Sequence, residues 1–137
     1  MDAPVDFIEM TPMLPVADLD RSLAFYRDML SFEPASRSDK IVLLRKGGAS
    51  LYLVPESPPT PDKPGVTIAL SPSSSRSPVN LAFRVADLRI AHERLEERGV
   101  EFLAPPEVKP WGEIRVFTRD PDGYLIEFYQ PLPAEGR

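Results

Sequence analysis

VNLAFRVADLRIAHERLEERGVEF, residues 79–102, joins an alternating apolar run to an aspartate and then to a helical stripe. Leu81, Phe83 and Val85 fall on one side of an extended chain, and Asn80, Ala82 and Arg84 on the other. Asp87 is placed to cap a helix, because its carboxylate can accept a free backbone N–H of the first turn. Leu88, Ala91 and Leu95 follow at helical spacing, and Gly99 stands where a helix C-cap would turn. The same plan occurs in TPMLPVADLDRSLAFYRDMLSFEP, residues 11–34. The tetrapeptide Val-Ala-Asp-Leu stands at 16–19 and again at 85–88, a shift of 69 residues.

The flanking segments repeat as well. In the first half, the apolar run Ile8 to Val16 predicts a strand, with Pro12 and Pro15 marking a free edge or an irregular end. Asp18 caps a helix whose buried face is Leu19, Leu23, Tyr26 and Leu30. An extended stretch (32–37) precedes IVLLRKGGASLYLV, residues 41–54, two apolar runs hinged at Gly47-Gly48. In the second half, VEFLAP (100–105) is extended, and EIRVFTRDPDGYLIEFY (113–129) holds two strands around Asp120-Pro121-Asp122-Gly123. Each copy therefore reads strand, helix, three strands. A single unit leaves a sheet half covered, so two units pack as a pair. The fold class is α+β: two tandem βαβββ modules forming a curved mixed sheet or half-open barrel around a cavity, with helices on the convex side. The expected layout is one domain over 1–137, with module one at about 5–54, a connecting insertion at 55–78 and module two at about 79–131. Within the proline-rich insertion, Val66 to Leu70 reads as a short extra strand, extending the first sheet's edge or covering the mouth of a pocket.

Composition removes several function classes. A net charge of −5 with no basic stripe argues against a nucleic-acid partner. No apolar run is long enough for a membrane span. The acidic start, MDAPVDFIEM, lacks the basic-then-apolar pattern of an export signal, so a cytoplasmic protein is expected. The absence of cysteine excludes disulfides, thiolate metal ligands and cysteine nucleophiles. Histidine occurs once, at His92, on the second helix and four residues before Glu96, where the two side chains can pair.

LPVADLDRSLAFYRDML (14–30) resembles the first strand and helix of the vicinal oxygen chelate superfamily, the glyoxalase/bleomycin-resistance/dioxygenase group. KPWGEIRVFTRDPDGYLIEFYQP (109–131) resembles its closing hairpin. The likeness covers nearly the whole chain except 55–78. Ser31 departs from it, standing where the family usually has glycine after the first helix. The resemblance implies a cavity between two modules and, often, a homodimer. In metal-using members it implies four inward ligands, usually histidine, glutamate or glutamine, one on the first and one on the last strand of each module. Those positions match Thr11, Tyr52, Asn80 and Glu127 here. Only Glu127 keeps a good ligand, since a hydroxyl, a phenol and an amide oxygen are poor replacements. No metal or other cofactor is therefore expected. The alternative is a divalent ion (Mg, Mn, Fe, Ni or Zn) held by Glu9 and Glu127, because Glu9 shares the strand face of Thr11.

Period-two alternation predicts what lines the cavity. Thr11 and Met13 come from the first strand, with Ser50, Tyr52 and Val54 from the fourth. Asn80, Ala82 and Arg84, then Arg115 and Phe117, then Leu125, Glu127 and Tyr129 come from module two. The opposite faces are more uniformly apolar, which fits burial under helices. Glu127 is the candidate ligand-contacting or acid–base residue, or is an inherited carboxylate, solvated in a wet cavity or paired with Arg84 or Arg115. The two arginines can equally grip a carboxylate or phosphate. Trp111, in a Pro-Trp-Gly loop, resembles by position a tryptophan-bearing segment along the drug groove of the bleomycin-resistance branch; it stacks on a planar ligand, or wedges at a module or dimer junction. The leading expectation is a metal-independent small-molecule-binding protein, sequestering an antibiotic-like or aromatic compound. The alternative is a glyoxalase- or dioxygenase-like lyase, isomerase or oxygenase built on Glu127. A third class is a structural or regulatory protein whose cleft takes a segment of another protein.

Overall fold

A computed structural model describes residues 3–70, 72–73 and 75–133. Its elements are β1 (Met13–Pro15), α1 (Leu19–Ala24, continuing as a π-helical segment Phe25–Met29), β2 (Glu33–Arg37), β3 (Val42–Lys46), β4 (Ala49–Val54), β5 (Asn80–Arg84), α2 (Leu88–Glu97), β6 (Glu107–Lys109), β7 (Glu113–Arg119) and β8 (Leu125–Pro131). They form two four-stranded mixed sheets, ordered β1-β4-β3-β2 and β5-β8-β7-β6, and neither closes into a barrel. The outer pairs β1–β4 and β5–β8 are parallel and the rest antiparallel. Met13 pairs with Tyr52 in one sheet, and Ala82, 69 positions after Met13, pairs with Glu127 in the other. The duplication therefore extends to strand register.

The caps behave as their chemistry dictates. Asp18 accepts the backbone N–H of Arg21, and Asp87 that of Ile90. On the helix-covered faces, Leu14, Val16, Leu51, Leu53, Leu81, Ile114, Val116, Ile126 and Phe128 are buried, with Phe83 partly so. Edge contacts run from Tyr26 to Phe32 and on to Phe83 of the second module, whose ring then stacks on Phe128, with centroids 5.8–5.9 Å apart. The two halves thus share one core, and each such ring contributes on the order of 1.5–3 kcal/mol by leaving water.

Three local expectations need correction, and the end of the first helix adds a feature that was not expected. The first strand is only Met13–Pro15: Pro12 and Pro15 interrupt the ladder, and residues 3–12 lie outside any strand, with Phe7 88%, Ile8 95% and Met10 85% exposed. In the second module, VEFLAP makes only a bridge from Phe102 to Thr118, and the edge strand forms after Pro105-Pro106, as β6. Val66 to Leu70 forms no strand of either sheet; Ile68 bridges back to Ser57 within the same loop. The first helix ends in a wider turn, with Leu30 N–H donating to the Phe25 carbonyl five residues back. Beyond it Ser31 takes φ +65°, a left-handed conformation that disfavours side chains. Arg98 holds it there, donating to the Ser31 hydroxyl (2.9 Å) and the Met29 carbonyl (3.0 Å).

The tightest polar contact between modules joins α1 to the β7–β8 turn. Tyr26 OH donates to Asp120 Oδ2 at 2.7 Å, and Asp120 Oδ1 accepts the backbone N–H groups of Asp122 and Tyr124. Burial raises the Asp120 carboxyl above its ordinary range despite these donors. Burial, reinforced by the Asp120 charge, also holds Tyr26 well above its usual value and pushes Tyr124 up to about 12, so both phenols remain donors. Tyr124 OH donates to the Pro15 carbonyl, and Ser22, Arg21 and the Ala17 N–H all donate to Asp122. Tyr26→Phe removes one donor from a buried carboxylate and is expected to cost about 1–3 kcal/mol, read as a lower urea midpoint at unchanged slope. An unchanged midpoint would show that this bond does not hold the halves together.

Candidate functional site

The sheet faces turned away from the helices carry the polar residues. On the second sheet, Glu127 of β8 lies between Phe117 of β7 and Ala82 of β5 by register. The residue is 8% exposed, and its carboxylate accepts a hydrogen bond from Asn80 Nδ2 at 3.1 Å. Among the described residues neither Arg84 nor Arg115 comes within ion-pairing distance of it, so of the alternatives for Glu127 the pairing with an arginine does not occur. Arg84 and Arg115 both register with Tyr129, from opposite sides.

Arg115 is held instead by rings. Its guanidinium carbon lies 5.1 Å from the Trp111 ring centre and 4.9 Å from that of Phe117. Lys109 Nζ sits 5.2 Å from the Trp111 ring and pairs with Glu107 at 2.8 Å. A cation against an aromatic face is stabilised by the ring quadrupole. Trp111 is therefore set against its own module's cations while remaining 57% exposed, and is not wedged between the modules. Trp111, Arg115 and Phe117 form one wall ending near Glu127.

On the first sheet, the Thr11 hydroxyl is 3.0 Å from that of Ser50 and donates to Glu9 at 3.1 Å. Glu9 also pairs with Arg45 at 3.0 Å. The Thr11 bond and then Arg45 hold the Glu9 carboxyl below its ordinary value. Glu9 thus already has partners on its own module. Met13 is exposed and Tyr52 half-buried, side by side on β1 and β4. His92 lies 3.6 Å from Glu96, too far for a good hydrogen bond, and its ring packs 4.6 Å from that of Phe102, away from these faces.

A divalent metal, which the resemblance implies for this cavity, does not fit the residues present. Thr11, Tyr52, Asn80 and Glu127 supply one carboxylate, and the Asn80 amide already donates to it. Among the described residues, no three histidine, aspartate or glutamate side chains come together as a ligand set.

One feature escaped the sequence reading. A cavity of about 670 Å³ lies where the β3–β4 hairpin faces α2, sharing Ala82, Arg84 and Tyr129 with the open face of the second sheet. The signal was present in Arg94 and Arg98, which extend the Ala91–Leu95 stripe of α2 at helical spacing.

A model of the Glyoxalase/Bleomycin resistance protein/Dioxygenase superfamily matches residues 8–128. A glyoxalase/bleomycin resistance protein/dioxygenase from Nocardioides superposes with a TM-score of 0.78 at 26% identity, over 96% of this chain and 88% of that one. A lactoylglutathione lyase from Agrobacterium tumefaciens does so with 0.72 at 25%, over 93% and 95%. An antibiotic binding protein from Streptomyces sp. CB03234 gives 0.68 at 24%, over 94% and 98%, a likeness of fold.

Arg115→Gln tests the aromatic wall. Removing the cation between the rings is expected to increase acrylamide quenching of the sole tryptophan, with a stability change of about 1 kcal/mol or less. Unchanged quenching would show that Arg115 does not hold Trp111.

Proposed function

The chain belongs to the glyoxalase/bleomycin resistance protein/dioxygenase superfamily, and from that premise we propose that it is a metal-independent binding protein for an aromatic, antibiotic-like small molecule. Fold does not choose between binding and catalysis, since an enzyme and an antibiotic-binding protein share this one. The observation that carries the reading is the donor set: one carboxylate, already hydrogen-bonded to an amide, beside a wall of Trp111, Arg115 and Phe117. Such a face stacks a planar compound and orients it with few polar contacts. Thr11, Met13 and Tyr52 of the first sheet, with Asn80, Arg84, Glu127 and Tyr129 of the second, complete the proposed contacts. A cytoplasmic location belongs to the same reading; among the described residues no helix is long and apolar enough to cross a membrane.

The working form is a homodimer. Val5, Phe7, Ile8 and Met10 are exposed ahead of β1, and Met13 continues that apolar run onto the open face. Burying such a run against a second copy removes it from water. Deleting residues 3–10 is expected to convert a dimer to a monomer by light scattering. A full-length chain that is monomeric at high concentration would overturn the dimer.

Binding is tested by thermal shift and tryptophan fluorescence against aromatic antibiotics. A ligand at 100 times its Kd is expected to add about 2.7 kcal/mol of stability. Trp111→Ala is expected to weaken it at least tenfold, as removal of an aromatic anchor does. One metal per chain, retained through purification and lost in Glu127→Gln, would overturn the metal-independent reading. Glu127 is the buried carboxylate of this face, which also favours an acid–base enzyme. If Glu127→Gln keeps binding but abolishes turnover of a bound compound, that second reading replaces the first.

A further inference from the structure

The duplication is asymmetric at the module junctions. At one, Tyr26 and Ser22 of α1 hold Asp120 and Asp122 of the β7–β8 turn, and Tyr124 reaches the Pro15 carbonyl. The 69-residue shift carries Ser22 to Ala91, Tyr26 to Leu95 and Pro15 to Arg84. The turn facing these is the β3–β4 hairpin, where Gly47 and Gly48 stand in place of the two aspartates' turn. A carboxylate-and-phenol plug is thereby replaced by methyl, isobutyl and hydrogen. What remains is the cavity of about 670 Å³, and all five of these second-site residues line it. A Cβ placed on either glycine would meet open space.

The same shift carries Phe25 to Arg94 and Met29 to Arg98. Lys46, Arg84, Arg94 and Arg98, all exposed, border this half-open cavity, and no aspartate or glutamate is among its lining residues. Among the described residues, none of the four cations forms an ion pair. This occurs in a chain of net charge −5, where chance would favour acidic neighbours. Behind the cations, Phe32, Phe83, Leu95 and Phe128 supply an apolar floor. Convergent cations over aromatic walls select an anion that carries an apolar body.

The geometry points to this cavity as a second small-molecule site, for an organic anion (a carboxylate or phosphate ester) with a flat apolar body. It lies apart from the Asn80–Glu127 pair and meets the open face only at Ala82, Arg84 and Tyr129. Arg94, Lys46 and Arg98 grip the anionic head, and Arg98 is already braced by Ser31 and the Met29 carbonyl. The body enters the space that Tyr26 and its partners fill at the other junction.

The probes are 1-naphthoate, 1-naphthyl phosphate and the neutral 1-naphthylmethanol, titrated calorimetrically into the full chain. One anion, or both, is expected to bind one per chain, at least tenfold tighter than the alcohol, weakening as salt rises. The tighter anion identifies the head group. The charge variant Lys46→Gln/Arg94→Gln is expected to weaken binding at least tenfold, and Leu95→Tyr, which rebuilds the plug, to abolish it. Trp111→Ala leaves it unchanged. Should Leu95→Tyr fail to fold, the charge variant alone decides. Equal affinity for the alcohol, absence of anion binding at millimolar concentration, or loss in Trp111→Ala without loss in the charge variant would overturn the second site. The last of these outcomes would support the open-face reading, whereas failure of that reading leaves the cavity result intact.

Discussion

Asp120 is pinned where the two modules meet. Its carboxylate is buried, and both oxygens are engaged, by a phenol of the first module and by two backbone N–H groups of its own turn. A buried carboxylate is costly without such donors. Its satisfaction therefore requires α1 to stay against the β7–β8 turn, which fixes how the modules meet. The shared aromatic core from Tyr26 to Phe128 then follows, because Phe32 and Phe83 are brought into contact by the same docking.

That docking exists at one junction only. A repeated unit is free to keep its fold while changing side chains at either copy. Here one copy is closed by polar contacts, and the other keeps small residues and exposed cations along an open cleft. This second junction is an open cleft, and Lys46, Arg84, Arg94 and Arg98 stand exposed along it with no carboxylate among its lining residues.

The open sheet faces show a related division. Their backs are mostly apolar and buried, with Thr118 among them and Phe83 only partly covered, whereas their fronts mix amide, carboxylate, guanidinium and rings. The weak metal donors and the wall of Trp111, Arg115 and Phe117 are the features on which the proposed binding function rests. The exposed apolar arm before β1 is the surface that the proposed homodimer would take out of water.

Much of this was legible in the residues alone. The shared Val-Ala-Asp-Leu, the aspartate caps and the alternation of β4, β5, β7 and β8 identified the modules, because local propensity and period-two burial act within a few residues. The apolar backs and the position of Glu127 followed from that periodicity. The sequence did not reveal that Asn80, rather than an arginine, would partner Glu127, or that Arg115 would lie between two rings. It overextended the first strand, placed the second module's edge strand too early and made a strand of the loop at 66–70. A strand needs a neighbour to pair with, and a cavity needs two segments that face each other, here Lys46–Ala49 and Arg84–Arg98. Alternation and capping are properties of one stretch of chain, so the sequence by itself determined the elements and their buried sides. Partners and voids are properties of two distant stretches brought together, so only the tertiary structure decided them.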